Sequence, residues 1–184
     1  TVEINSFDGN DTITVGANST INDIVTGPGN DTLTIGNGST QIAAVSTTTT
    51  VSTGTGEDTI NLGSDVNLRI DAGADADTIN VGSNFSGHIE TGLGDDIIYI
   101  DNNFLGTINN AGGNDTIISL DFIDPSQLDT IGGGFFVNSV LGTIVEIGDG
   151  EDLTIPTNVE VITEVTANSG DESLTLRSEE RRVG

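Results

Sequence analysis

A turn motif of the form Gly-x-Gly-x-Asp, with one glycine replaced in some copies, returns at nearly constant spacing along this chain of 184 residues. The closing acids of successive motifs lie 20, 27, 19, 19 and 19 residues apart. These closing acids are Asp11, Asp31, Asp58, Asp77, Asp96 and Asp115. A fixed period of about 19 residues predicts a solenoid, in which each repeat forms one turn of a continuous coil.

Apolar residues occupy fixed places after each closing acid. Those two places after it are Ile13, Leu33, Ile60, Ile79, Ile98 and Ile117, and those four places after it are Val15, Ile35, Leu62, Val81 and Ile100. Thr or Asn separates most of them, and this alternation predicts short strands with one buried face. No stretch shows helical periodicity, so we expect an all-β protein built as a parallel β-solenoid.

The composition allows only a thin core and a strongly acidic surface. Aromatic residues make up 4% of the chain, and there is no Cys, Met or Trp. With 29 acidic residues against four basic ones, the net charge is −25, which repels nucleic acid and anionic membranes. No apolar run is long enough for a transmembrane helix. The charge fits either a disordered acidic tail or a chain that folds by binding cations, and the regular β pattern favours the second.

The turn motif has the chemistry of a calcium site. Ca²⁺ takes six to eight oxygen ligands, glycine lets the backbone turn its carbonyls inward at positive φ, and the Asp supplies a carboxylate. The alternative is that Gly and Asx only form tight turns, but six such turns in phase favour calcium. We expect several ions, about one per regular turn, in single file along one edge of the coil. The candidate ligands are Asp11, Asp31, Asp58, Asp77, Asp96, Asp115, Asp152, Gly27, Gly29, Gly54, Gly56, Gly92, Gly94 and Gly113.

Three segments (26–34, 53–61 and 91–99) match the repeat Gly-Gly-x-Gly-x-Asp-x-U-x, where U is apolar, except that Thr replaces the first Gly. On these residues the chain resembles the RTX (repeat-in-toxin) β-roll family, and most closely the 19-residue variant of giant marine bacterial adhesins. The resemblance implies a right-handed parallel β-solenoid that folds on binding calcium. It also implies type I secretion and an interior position in a longer extracellular protein, with flanking repeats as neighbours.

Two alternative functions remain open. In one such relative the turn reads x-Gly-Thr-Gly-Asn-Asp and its aligned Thr and Asn bind ice, but here only Thr55 keeps that Thr. The outward Thr and Asn on the strands still allow a face that binds ice or a glycan. A module of a carbohydrate-active enzyme is disfavoured, because the repeat spaces the carboxylates apart and only Arg69 and His88 could assist them. We therefore expect no catalytic activity.

The regularity of the pattern divides the chain. Residues 1–120 carry the regular repeats, 121–167 read as irregular rungs or a small β segment, and 168–176 begin a further repeat. Residues 177–184 follow no repeat and resemble a translated sequencing adapter, so we expect them to be an artefact. The expected role is that of a structural extender in a secreted or cell-surface adhesin, S-layer protein or exoprotein, with cell-surface glycans as possible ligands.

Overall fold

A computed structural model of the protein describes residues 1–41, 51–110 and 112–119, together with the backbone of six later strands. In chain order the strands are β1 (Val2–Asn5), β2 (Thr12–Val15), β3 (Thr20–Val25), β4 (Thr32–Ile35), β5 (Thr40–Gln41), β6 (Val51–Ser52), β7 (Thr59–Leu62), β8 (Arg69–Asp71), β9 (Thr78–Val81), β10 (His88–Glu90), β11 (Ile97–Ile100), β12 (Thr107–Asn110), β13 (Asp115–Ser119), β14 (Leu128–Ile131), β15 (Gly134–Asn138), β16 (Thr143–Ile147), β17 (Leu153–Thr154), β18 (Val165–Ala167) and β19 (Leu174–Thr175). Among the described residues no helix is long and apolar enough to cross a membrane.

The strands stack as a parallel β-solenoid of about six turns, as the repeat period predicted. One sheet has the order β1-β3-β6-β8-β10-β12-β14, with β5 also paired to β3, and the other runs β18-β16-β15-β13-β11-β9-β7-β4-β2. Each regular turn contributes one strand to each sheet, because neighbours in a sheet are one repeat apart in sequence. A separate pair joins β17 to β19.

Strand register confirms the apolar columns. Leu33 pairs with Ile60 on the next turn, and Ile60 pairs in turn with Ile79. From Leu33 onward the column that follows each closing acid by two residues is almost fully buried. Phe85 and Phe104 belong to the same core, and their rings stack with centroids 5.7 Å apart and planes 9° apart. Burial of each of these apolar side chains contributes about 1.5–3 kcal/mol. The narrow core is therefore stabilised by many contributions of similar size.

The regular stacking changes after β13. Gly134 pairs with Asp115, so one more turn keeps the 19-residue step, although its closing position lacks a carboxylate. β15 then pairs with β16 in the antiparallel sense, and the parallel coil no longer continues there. Two predictions lie outside the described residues, those for Asp152 and for the adapter-like tail 177–184, and so do residues 42–50 of the 27-residue step.

Candidate cation-binding edge

The turns that precede the second sheet are built on two positions with positive φ. The first position lies four residues before the closing acid and is occupied by Phe7, Gly27, Gly54, Gly73 and Gly92. The second lies two residues before the closing acid and is occupied by Gly9, Gly29, Gly56, Asp75, Gly94 and Gly113. This left-handed region favours glycine, since a Cβ there meets the backbone. Two positions depart from glycine: Phe7 has φ 68° and Asp75 has φ 80°.

Close approach between turns is the second reason for glycine. A Cβ on Gly54 would lie against the carbonyl oxygen of Gly27, and a Cβ on Gly56 would lie against that of Gly29. The same relation links Gly92 to Gly73. The glycines therefore let carbonyl oxygens of one turn pack directly on the backbone of the next, along the same edge as the closing acids.

The closing acids form a continuous column. Oδ1 of each acid accepts the backbone N–H of the closing acid one turn earlier, at 2.7–2.8 Å for the five links from Asp11 to Asp115. From Asp31 onward these carboxylates are no more than 2% exposed. The link fixes both the side chain and the register, because it joins one turn to the next at the same position.

The second carboxylate oxygen is the unusual atom of this edge. Oδ2 is buried and has no hydrogen-bond partner within the described part of the chain in any of the six acids: Asp11, Asp31, Asp58, Asp77, Asp96 and Asp115. A buried, unpartnered carboxylate oxygen is costly and rare in proteins. A column of such atoms calls for a positive counterpart, either a proton or a metal ion.

The raised pKa values of the closing acids also indicate that this edge requires a positive counterpart. Burial raises the pKa of Asp77 to about 8, with the hydrogen bond from Asp58 opposing it and repulsion from Asp96 and Asp58 adding to it. Burial likewise raises the pKa of Asp115 to about 7. The pKa values of Asp58 and Asp96 are raised for the same principal reason. In the absence of a cation, these carboxyls therefore hold protons more tightly than exposed acids do.

The donor set fits a hard cation such as Ca²⁺. Each turn offers one carboxylate and a group of glycine carbonyls, and all of them are oxygen ligands. No point within the described ranges is surrounded by three or more His, Cys, Asp or Glu side chains. A bound ion would thus take its carboxylates from neighbouring turns and the rest of its ligands from the backbone.

The structure brings the predicted ligands together. Six of the seven predicted acids form the column, and the predicted glycines lie in the turns that precede it: Gly27, Gly29, Gly54, Gly56, Gly92, Gly94 and Gly113. It adds Gly9 and Gly73, which occupy equivalent positive-φ positions.

A column of buried hydroxyls beside the acids was missed from the sequence. Thr26 Oγ1 donates to the carbonyl oxygen of Thr53 at 2.8 Å, and Thr53 Oγ1 donates to that of Ala72 at 2.6 Å. Thr91 occupies the same place and is fully buried. The signal was available, since Thr replaces the first Gly of the motif in three turns.

The remaining polar residues of interest lie on the outer faces. Arg69 forms a local ion pair, with its Nη2 atom 3.7 Å from Glu90 Oε2. His88 is half-buried on the outer face, with Nδ1 2.7 Å from Thr107 Oγ1. Tyr99 points outward and is 44% exposed.

The outer face of the second sheet carries aligned Thr and Asn. One column is Thr12, Thr32, Thr59 and Thr78, and beside it runs Thr14, Thr34, Asn61 and Asn80. Asn80 Nδ2 donates to Asn61 Oδ1 at 2.9 Å, so the side chains follow the strand register. Ile97 and Tyr99 end the polar array on the next turn.

Comparison of the chain with protein-family models, with curated proteins and with solved structures finds no match. The resemblance to RTX proteins therefore depends on the turn motif and its period.

Proposed function

We propose that this protein is a calcium-binding β-solenoid module that acts as a stiff, non-catalytic segment of a larger extracellular protein of the RTX type. The observation that carries the proposal is the column of buried, unpartnered Asp Oδ2 atoms. A divalent cation between neighbouring turns would satisfy two of these atoms at once and remove their mutual repulsion.

Metal binding would couple directly to folding. The unfolded chain has no preformed site, so the free energy of binding adds to the stability of the coil. The ligands Asp58 and Asp77, with glycine carbonyls of their turns, belong to different repeats, and an ion shared between them holds those repeats together. The net charge of −25 would otherwise oppose compaction.

The same coupling suggests where the protein works. Cytosolic calcium is scarce and extracellular calcium is abundant, so the chain would stay unfolded until export and fold outside the cell. This behaviour suits type I secretion and a role as an adhesin, S-layer or exoprotein segment. In such a role the site only has to bind the ion.

Circular dichroism in calcium-free buffer and at millimolar calcium tests the proposal. We expect the β-sheet signal and the thermal midpoint to rise with calcium, and calorimetric titration to give several bound ions per chain. A protein that is equally folded and equally stable in both buffers, with no bound calcium, overturns it.

The aligned Thr and Asn columns support a second candidate, binding of ice or a neutral glycan. Four successive turns present the pair in register, with a strand spacing of about 4.8 Å. Thr34→Tyr would disrupt the array from the solvent side. Under this candidate the wild type inhibits ice recrystallisation or binds on a glycan array, and the variant does neither. Inactivity of the wild type in both assays excludes this candidate.

A further inference from the structure

Three turns place a threonine hydroxyl in the interior, five residues before the closing acid: Thr26, Thr53 and Thr91. All three are fully buried. A buried hydroxyl requires a partner, and Thr26 and Thr53 find theirs in the carbonyl oxygen at the same position of the next turn, at 2.8 and 2.6 Å. The hydroxyls therefore tie successive turns together at the beginning of the cation-binding edge.

The same hydroxyls adjoin the closing acids. Burial raises the pKa of Asp58 and of Asp96, and hydrogen bonds from Thr53 and from Thr91, respectively, act in the opposite direction. The Thr53 hydroxyl is thus placed between the carboxylate of its own turn and the backbone of the next. These are the two kinds of group from which the proposed calcium site draws its ligands.

We propose that Thr26, Thr53 and Thr91 are positioning residues, which orient the closing acid and the adjacent turn for cation binding. This inference rests on the proposed calcium function. Partners of this kind, one step removed from the ion, commonly change metal affinity by about 10–100-fold when they are lost.

One turn lacks the buried threonine hydroxyl. Ala72 occupies the equivalent place before Asp77, is fully buried, and lies between Thr53 and Thr91 in the column. Both of its neighbours in the column are threonine, so Ala72 is the interruption in a series of buried hydroxyls. The calcium sites should therefore be unequal, and those that depend on Asp77 should be the weaker ones.

Four variants test the inference: Thr53→Val, Thr53→Ser, Ala72→Thr, and Thr20→Val as the control at an exposed strand threonine of the first sheet. The measurements are the calcium concentration at the folding midpoint, followed by circular dichroism, and the affinities from calorimetric titration. Thr53→Val should raise the midpoint about 10-fold, whereas Thr53→Ser, which keeps the hydroxyl, should restore it. Ala72→Thr should lower the midpoint, and Thr20→Val should leave it unchanged.

The outcomes separate this inference from the function on which it rests. If the wild type does not respond to calcium, the calcium function itself fails. If the wild type responds but Thr53→Val matches it, or Thr53→Ser is as impaired as Thr53→Val, the positioning role is overturned. Should Thr53→Val not fold at all, Ala72→Thr decides: an unchanged midpoint contradicts the inference.

Discussion

Asp77 accepts the backbone N–H of Asp58 through Oδ1 at 2.8 Å, while its own Oδ2 is buried with no hydrogen-bond partner in the described ranges. One carboxylate therefore has two separate tasks. Its first oxygen holds the register between turns, and its second is available to a cation. Substitutions that separate these tasks should affect the metal-free and calcium-loaded proteins in opposite directions.

Asp77→Asn is the most direct of these substitutions. The amide oxygen can still accept the N–H of Asp58, but the buried charge and its repulsion of Asp58 and Asp96 are removed. We expect the free energy of unfolding in calcium-free buffer at pH 8 to rise by at least about 1 kcal/mol, since the pKa of Asp77 is raised by more than one unit and each unit corresponds to about 1.4 kcal/mol. The stabilisation gained on adding calcium should fall. Urea unfolding in both buffers measures the two effects.

The matched control for Asp77→Asn is Asp65→Asn. Asp65 is exposed, and an amide oxygen at this position can still accept the Nδ2–H of Asn84, as the carboxylate does at 2.9 Å. This control should change neither the free energy of unfolding without calcium nor the stabilisation gained on adding calcium by more than about 0.5 kcal/mol. An Asp77→Asn variant that keeps the full calcium response would exclude Asp77 from the site.

The pH dependence of the metal-free protein follows from the raised pKa values. The folded protein holds protons at Asp77 up to about pH 8 and at Asp115 up to about pH 7, while the unfolded chain releases them near pH 3.8. The stability that these protonated carboxyls contribute is complete below the pKa of the unfolded chain. It is lost as the pH rises through the pKa values of the folded protein. In calcium-free buffer, the thermal midpoint should therefore fall from pH 5 to pH 9.

Calcium should reverse this trend, because the ion binds the ionised carboxylates. At millimolar calcium the thermal midpoint should rise or stay level across the same pH range, and circular dichroism can follow both series. Asp77→Asn should flatten part of the metal-free slope. A metal-free midpoint that is constant or increases with pH contradicts the assignment of protons to this column.

Gly92→Ala tests the contact between turns. Gly92 has φ 102°, and a Cβ there would lie against the carbonyl oxygen of Gly73. Backbone strain and the collision should together cost more than about 2 kcal/mol. Gly16→Ala is the control, because no heavy atom lies within 4 Å of its Cβ position and its φ is not in the left-handed region. That change should be neutral or stabilise by up to about 1 kcal/mol, measured by urea unfolding.

Asp75→Gly should stabilise the metal-free protein. Asp75 takes a glycine position at φ 80°, which costs about 1–2 kcal/mol, and its charge adds to the burial that raises the pKa of Asp58 and Asp77. The exposed contact of its Oδ2 with the N–H of Gly56, at 3.2 Å, offsets only part of this. We expect a net gain of about 1 kcal/mol in thermal or urea unfolding without calcium.

Asp75→Asn separates the two contributions in that prediction. It removes the charge and keeps the strained backbone, so it should give a smaller gain than Asp75→Gly. If the glycine variant is no more stable than the asparagine variant, backbone strain at this position is not significant.

Much of the fold could be predicted from the sequence, because parallel stacking places equivalent positions of each repeat directly above one another. The column of Leu33, Ile60 and Ile79 is therefore visible in the sequence as a period. The antiparallel pairing of β15 with β16 is not visible, since β15 keeps the 19-residue step and β16 does not continue it. The stack is periodic, whereas its end depends on a local pairing.

The candidate site was predicted in its residues but not in its bonding. Spacing placed Asp58 and Asp77 on one edge, yet it could not show that a single carboxylate oxygen would be used for register. The hydroxyl of Thr53 was overlooked because the motif treats its position as glycine. Side-chain hydrogen bonds between repeats depend on rotamers and on distances of a few tenths of an ångström, which a one-dimensional pattern does not contain.

The links between turns also give the coil a chemical direction. The N–H of Asp31 and the hydroxyl of Thr26 both donate to the following turn, and the matching acceptors belong to that following turn. The backbone ladder has no such preference, because other N–H groups, such as that of Thr32 to the carbonyl oxygen of Asp11, donate to the preceding turn. The closing acids and the buried threonines therefore give this edge of the coil a polarity that the backbone ladder lacks.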